Sequence, residues 1–287
     1  MSRSVEFSKM HGAGNDFVVL DGRASDLPPL DDFCRAYAHR QFGIGFDQLL
    51  VVRDSDVADF RMEIWNAEGA EVEMCGNGIR AFLKYLRDRG VSSADELRVE
   101  TLGGVVTPRW MGDDRVAVDM GRPILAPAKV PTTLGAGDEP VVDVPLPLDG
   151  AEVRVTCVSM GNPHAVVIVE NVDTTPVADL GPLIENHAAF PNRTNVEFVE
   201  AVGRERFRQR TWERGVGETL ACGSGACAVG VATQLLGMAE PAIAIELRGG
   251  ELEISWDAPD ASVMMTGPAA QVFEGRAPWP PDHRRGS

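Results

Sequence analysis

The chain repeats itself. Residues 60–81 read FRMEIWNAEGAEVEMCGNGIRA and residues 207–228 read FRQRTWERGVGETLACGSGACA. Aligned without a gap, they share Phe, Arg, Trp, Glu, Cys, Gly, Gly and Ala, at the offset of 147 residues that separates Cys75 from Cys222. The same offset carries Asn15 onto Asn162, Gln48 onto Asn195 and Asn66 onto Glu213, while Gly103-Gly104 precede Gly249-Gly250 by 146 residues. Self-similarity at a fixed period marks a duplicated unit. So many polar landmarks in register predict two homologous halves related by a pseudo-twofold.

Within each half the pattern is rich in strands. Phe17-Val18-Val19-Leu20 and residues 60–65, 153–158, 165–169 and 207–212 are short β-type runs punctuated by Gly, Pro and Asp. One helix is predicted per half. The first covers 78–89, with Ile79, Phe82, Leu83 and Leu86 at helical spacing. The second covers 225–236 and is almost wholly apolar, which predicts burial on all sides. The fold class expected is α+β, two pseudo-symmetric halves, each a mainly antiparallel sheet wrapped around a central helix. Residues 1–121 form the first half and 122–267 the second. The stretch 122–147, rich in Pro, Gly and Asp, joins them, and the tail 278–287 is expected to fray.

Each repeated cysteine stands between a strand and a helix, in Met74-Cys75-Gly76-Asn77-Gly78 and in Ala221-Cys222-Gly223-Ser224-Gly225. A helix N-terminus carries about half a positive charge, which favours a thiolate and an anionic ligand. The glycines leave backbone N–H groups open to a carboxylate. A thiol beside such a turn is suited to taking the proton α to that carboxylate. Duplication supplies a second thiol for the opposite face of the same carbon, in a cleft between the halves. One sulfur removes the proton, the other returns one, and the configuration inverts. Donors aimed at the carboxylate must stabilise the carbanion. Cys34, Cys157 and Cys227 lack the matched context and read as small buried apolar residues.

Composition narrows the alternatives. The chain has 287 residues, of which 44% are hydrophobic and 24% charged, as in a soluble globular protein. Neither a membrane-length apolar run nor a signal-peptide core is visible, so the expected location is the cytoplasm. A net charge of −16 argues against nucleic acid as a partner. An odd count of five cysteines without CxxC spacing argues against a disulfide framework and a zinc site. The three lysines, Lys9, Lys84 and Lys129, have no Schiff-base context. No metal and no organic cofactor are expected. Gly12-Ala13-Gly14 lacks the third glycine of a dinucleotide loop. His11, His39, His187 and His283 follow no pattern and read as structural or exposed.

These strings resemble a known family. His11-Gly12-Ala13-Gly14-Asn15-Asp16-Phe17, Gly43-Ile44-Gly45-Phe46-Asp47-Gln48 and Glu73-Met74-Cys75-Gly76-Asn77-Gly78-Ile79-Arg80 are similar to motifs of the diaminopimelate epimerases. So are Gly161-Asn162-Pro163-His164, Asn195-Val196-Glu197-Phe198, and Glu213-Arg214-Gly215 followed by Cys222-Gly223-Ser224-Gly225, all in the same order. The resemblance implies cofactor-independent interconversion of L,L- and meso-diaminopimelate, in lysine and peptidoglycan precursor synthesis. It also implies a last strand, about 268–287, that returns to the first half.

By position, the resemblance makes Cys75 and Cys222 the acid/base pair, with His164 assisting Cys75 and Glu213 assisting Cys222. Gly76, Asn77, Gly223 and Ser224 would hold the reacting carboxylate. Asn15, Asn66, Asn162, Asn195 and Arg214 would bind the distal amino-acid end, with Gln48 lining the site. Two departures stand out: Glu68-Gly69-Ala70 where the family commonly has Asp-Gly-Ser, and Ser224 where it often has threonine. Serine keeps the hydroxyl. Homodimers occur in the family. The nearest alternative is a proline or hydroxyproline racemase of the same fold, which has no use for amides and an arginine aimed at a distal carboxylate. A single-thiol hydrolase and a non-catalytic binding protein are the remaining readings.

Overall fold

The structure is a computed structural model that describes residues 3–23 and 26–280. The chain divides into two compact units, one running to Val118 and resuming at Gly267, the other spanning Asp119–Thr266. The first part of the chain forms β1 (Ser4–Gly12), β2 (Asn15–Asp21), α1 (Leu30–Tyr37), β3 (Gln48–Arg53), β4 (Phe60–Asn66) and α2 (Gly76–Asp88). It continues through β5 (Val99–Thr101), β6 (Gly104–Val106), β7 (Arg109–Gly112) and β8 (Arg115–Asp119). Then come β9 (Val144–Leu148), β10 (Ala151–Ser159), β11 (Pro163–Ile168), α3 (Val177–Glu185), β12 (Asn195–Ala201) and β13 (Arg206–Glu213). The rest is β14 (Gly217–Thr219), α4 (Gly223–Leu235), β15 (Ala242–Leu247), β16 (Gly250–Ser255), β17 (Met264–Pro268) and β18 (Ala270–Pro278).

The repeat is legible strand by strand. In the first unit the sheet order is β18-β1-β2-β3-β4-β5-β6, and in the second the run β9-β10-β11-β12-β13-β15-β16 mirrors it. Leu49 pairs with Trp65 between β3 and β4, and Val196 with Trp212 between β12 and β13. Phe17 pairs with Gln48, and His164 with Asn195. Both equivalences hold at the offset of 147 residues. After the second helix the offset drops by one, so Phe60 pairs with Val99 where Phe207 pairs with Ile245. That deletion accounts for the 146-residue spacing of the Gly-Gly turns.

Most pairings are antiparallel, but β2–β3, β4–β5, β11–β12 and β13–β15 are parallel. A parallel pair needs a crossover long enough to return the chain, usually helical. Each unit therefore holds two helices where the sequence pattern pointed to one. The helices α1 and α3 went unread because they are short, open on Pro29 and Pro176 without a side-chain cap, and α3 contains Pro182. They cover one face of each sheet, packing on Val18, Leu20, Leu49 and Val51 in one unit and on Ala165, Val167, Val196 and Phe198 in the other. The opposite face receives α2 and α4. Burial on both faces explains why β2 and β3 read as unbroken apolar runs. Nearly all of α4 is buried, in line with its apolar sequence.

The stretch 122–147 does more than join the halves, since its end supplies β9, an edge strand of the second unit. In the first unit the equivalent place beside β1 is taken by β18. The expected fraying does not extend to its first residues: Ser4 pairs with Pro278, and Trp279 N donates to Arg3 O at 2.9 Å. Residues from 281 onward, and His283 with them, lie outside the described residues. Among the described residues no helix is long and apolar enough to cross a membrane.

Candidate active site

Each unit carries one cysteine-capped helix. Cys75 is the N-cap of α2 at φ −143° and ψ 108°, and its Sγ accepts from Gly78 N at 3.2 Å. Cys222 is the N-cap of α4 at φ −125° and ψ 111°, and its Sγ accepts from Gly225 N at 3.4 Å. The sequence enforces this geometry, because a residue in extended backbone followed by small residues leaves the first-turn N–H groups to the capping atom. Sulfur takes the place a serine or aspartate oxygen would fill. Both helices accordingly begin two residues earlier than their apolar patterns suggested.

Around Cys75 the partners form a chain. Its Sγ donates towards Asn15 Oδ1 at 3.7 Å, and Asn77 Nδ2 donates to the same oxygen at 3.3 Å. Asn15 Nδ2 donates to Asp47 Oδ2 at 2.8 Å. Asn77 Oδ1 accepts from Arg80 Nη2 at 2.9 Å, and Arg80, fully buried, also reaches Gly76 O and Pro268 O at 3.3 Å. Asn66, at the end of β4, accepts from Glu68 N and Ala70 N at 3.1 and 2.9 Å. The departure Glu68-Gly69-Ala70 therefore keeps a turn closed on the Asn66 carboxamide. Gln48 pairs with Asn66 across the sheet, with its Oε1 buried and without a hydrogen-bond partner among the described residues.

Around Cys222 the chain has a different character. Its Sγ is 3.5 Å from Ser224 Oγ, which accepts from Asn162 Nδ2 at 3.2 Å. Asn162 Oδ1 is 3.0 Å from His164 Nε2, and His164 Nδ1 is 2.9 Å from Glu197 Oε1. Asn195 Nδ2 donates to Pro163 O at 2.8 Å, and its Oδ1 accepts from Arg214 N at 2.9 Å. Arg214 Nη1 donates to Asn192 O at 3.1 Å. Glu213 Oε1 accepts from Thr219 Oγ1 at 2.6 Å. Burial pushes the Cys222 thiol well above its ordinary value, and the nearby charges of Glu213 and Glu197 push it further. Burial is the main cause that lifts Cys34 and Cys157 to about 12, which suits inert core thiols.

Thus Cys75, Asn15, Gly76 and Asn77 are brought together in the first unit, with Gln48 and Asn66 paired on adjoining strand ends. In the second unit Cys222, Gly223, Ser224, Asn162 and His164 assemble, with Glu213, Asn195 and Arg214 on the neighbouring strand ends. Four positioning residues were not read from the sequence. Arg80 locks Asn77, and Asp47 holds Asn15. Glu185 accepts from Gly215 N and Trp212 Nε1 at 2.8 Å each, tying down the loop after Glu213. Glu197 underlies His164. Only Glu197 left a signal: it is a carboxylate within the otherwise apolar run Val196–Val199, on the same strand face as Asn195.

A family model for diaminopimelate epimerase matches residues 7–126 and 156–272. The chain is 48% identical over 279 residues to the diaminopimelate epimerase of Moorella thermoacetica, covering 96% of this chain and 99% of that one. This chain belongs to the diaminopimelate epimerase family. The family's enzyme from Aromatoleum aromaticum is 49% identical over 275 residues, covering 95% of this chain and 98% of the relative. Among solved structures, a hydroxyproline epimerase from Agrobacterium vitis superposes with a TM-score of 0.70 at 15% identity, over 98% of this chain and 95% of that one. A phenazine biosynthesis protein of the PhzF family from Bacillus anthracis gives 0.69 at 17%, over 96% and 99%. At such identities the likeness is one of fold. Within the family, Cys75 and Cys222 fall in the two matched segments of the chain.

Proposed function

We propose that the protein is an isomerase that interconverts L,L- and meso-diaminopimelate by transferring a proton at one α-carbon between two thiols. The reading is carried by one observation: two cysteines cap two helices in equivalent turns, Cys75 beside Asn15 and Cys222 linked through the Ser224 hydroxyl to Asn162 at the matching place. Cys75 and Cys222 alternate as base and acid, each acting on one face of the carbon. The first-turn N–H groups of α2 and α4, with Asn77 and Ser224, hold the reacting carboxylate and stabilise charge as the proton leaves. His164 supports proton exchange at Cys75, and Glu213 at Cys222. Asn15, Asn66, Asn162, Asn195 and Arg214 read the amino-acid end that does not react, with Gln48 beside them. Exclusion of water strengthens all these contacts.

Incubation with L,L-diaminopimelate in D2O tests this. Deuterium should enter one α-position as the meso isomer appears, and L-proline should remain unlabelled. Label in proline alone would make the enzyme a proline-type racemase instead.

A further inference from the structure

The two units share backbone register but differ beneath their active helices. Under α2 lie Phe17, Leu50, Met62 and Ile64, and at the matching places under α4 lie His164, Glu197, Gln209 and Thr211. None of the eight is more than 2% exposed. Four apolar side chains in one copy are thus four polar ones in the other. Burying a carboxylate is costly unless something uses it. Glu197 Oε1 meets His164 Nδ1 at 2.9 Å, and Oε2 has no hydrogen-bond partner among the described residues. The carboxylate also presses against the first turn of α4: a Cβ placed on Gly225 would come within 2.5 Å of Oε1, whereas on Gly78 it would find Leu50 at 3.3 Å. Gly225 is the residue whose N–H caps the Cys222 sulfur.

We propose that Glu197 is a positioning residue of this site, anchoring the His164 ring and holding Cys222 as a thiol through its negative charge. The proposal rests on the two-thiol reading above and adds that the two sulfurs are not equivalent at rest. One negative charge on Cys222 would sit over a second, on Glu197, in a medium that screens poorly. The other titratable groups around this turn are Glu213 at the end of β13 and His164 on β11. On β15 and β16, Glu246 and Glu251 pair with Arg206, and Glu253 is exposed. On β10, Cys157 belongs to the cluster under α3, and Cys227 of α4 is buried.

The test is limited alkylation by iodoacetamide under reducing conditions, read separately at Cys222 and Cys75 by peptide mass spectrometry. The pH series should bracket the ordinary thiol value of about 8.5. In the native chain the Cys222 midpoint should lie above that value. Glu197→Gln should lower it by about one pH unit or more, a roughly tenfold gain in reactivity at fixed pH, while the Cys75 midpoint stays put. The single variant Glu197→Leu copies the residue at the matching place of the first unit, Leu50, and it should show the same drop should Glu197→Gln not fold. A native midpoint at or below 8.5, or one that stays or rises in either folded variant, overturns the proposal. So does a shift shared by both cysteines. The readout needs no substrate, so intact deuterium exchange with an unmoved midpoint sinks the role of Glu197 alone.

Discussion

Cys75 and Cys222 each do two jobs, capping a helix and presenting a sulfur. Serine can take over only the first. Cys75→Ser and Cys222→Ser should melt close to the native temperature, because a hydroxyl oxygen accepts the Gly78 or Gly225 N–H well. Each should lose epimerase activity by about 10²–10⁴-fold or more, the scale of a missing acid/base group. Cys→Ala should lose activity and also about 1 kcal/mol of stability with the cap. Full turnover in either serine variant, followed by chiral separation of the isomers, would refute the two-thiol scheme. At this scale the sequence was most informative. Matched Cys-Gly-x-Gly turns single out two of five cysteines, and the asparagines come with them. Asp47 and Glu185 were illegible because their partners are distant in sequence, and Arg80, although it bonds Asn77 within one helical turn, because nothing local distinguishes a buried charge from a solvated one.

At the scale of elements, α2 and α4 have the same length and equivalent first turns, yet their third residues tolerate different changes. A methyl group on Gly225 would strike Glu197 Oε1 at 2.5 Å, and one on Gly78 would meet Cys75 Cβ at 3.2 Å and Leu50 at 3.3 Å. Gly225→Ala should therefore cost about 2 kcal/mol or more in urea unfolding, and Gly78→Ala less than about 1 kcal/mol. Equal losses would mean that Glu197 can move aside and does not brace the turn. The strands and the two central helices were readable from apolar periodicity. The helices α1 and α3 were not, because proline openings and only two turns hide them. The parallel strand pairs that depend on them were hidden for the same reason, since pairing direction is set by the crossover and not by the strand's own pattern.

Across the whole molecule, acid sensitivity should concentrate at Asp16. Burial opposes its ionisation, but Arg40, bonded to both carboxylate oxygens at 2.9 Å, and Lys9 outweigh burial and hold the carboxyl at about 2. A carboxyl depressed in the folded state contributes stability above its ordinary value of 3.8, and that contribution fades as pH falls towards 2. The urea midpoint of the native chain should drop more steeply between these values than that of Asp16→Asn. Parallel curves would remove Asp16 from the account. The two-unit plan was legible because duplication leaves a constant offset that no local pattern can imitate. The one-residue slip after the second helix was legible too, in the Gly-Gly spacing.

The pairing of Ser4 with Pro278 sets an order of events during synthesis. Residues 119–266 leave the ribosome as a continuous unit able to close on itself. The amino-terminal sheet has to wait with β1 uncovered on one side until the final strand has been translated. Nascent chains stalled before residue 270 should therefore expose a sticky β1 flank to chaperones, whereas a stretch made later, 119–266, is already protected from protease.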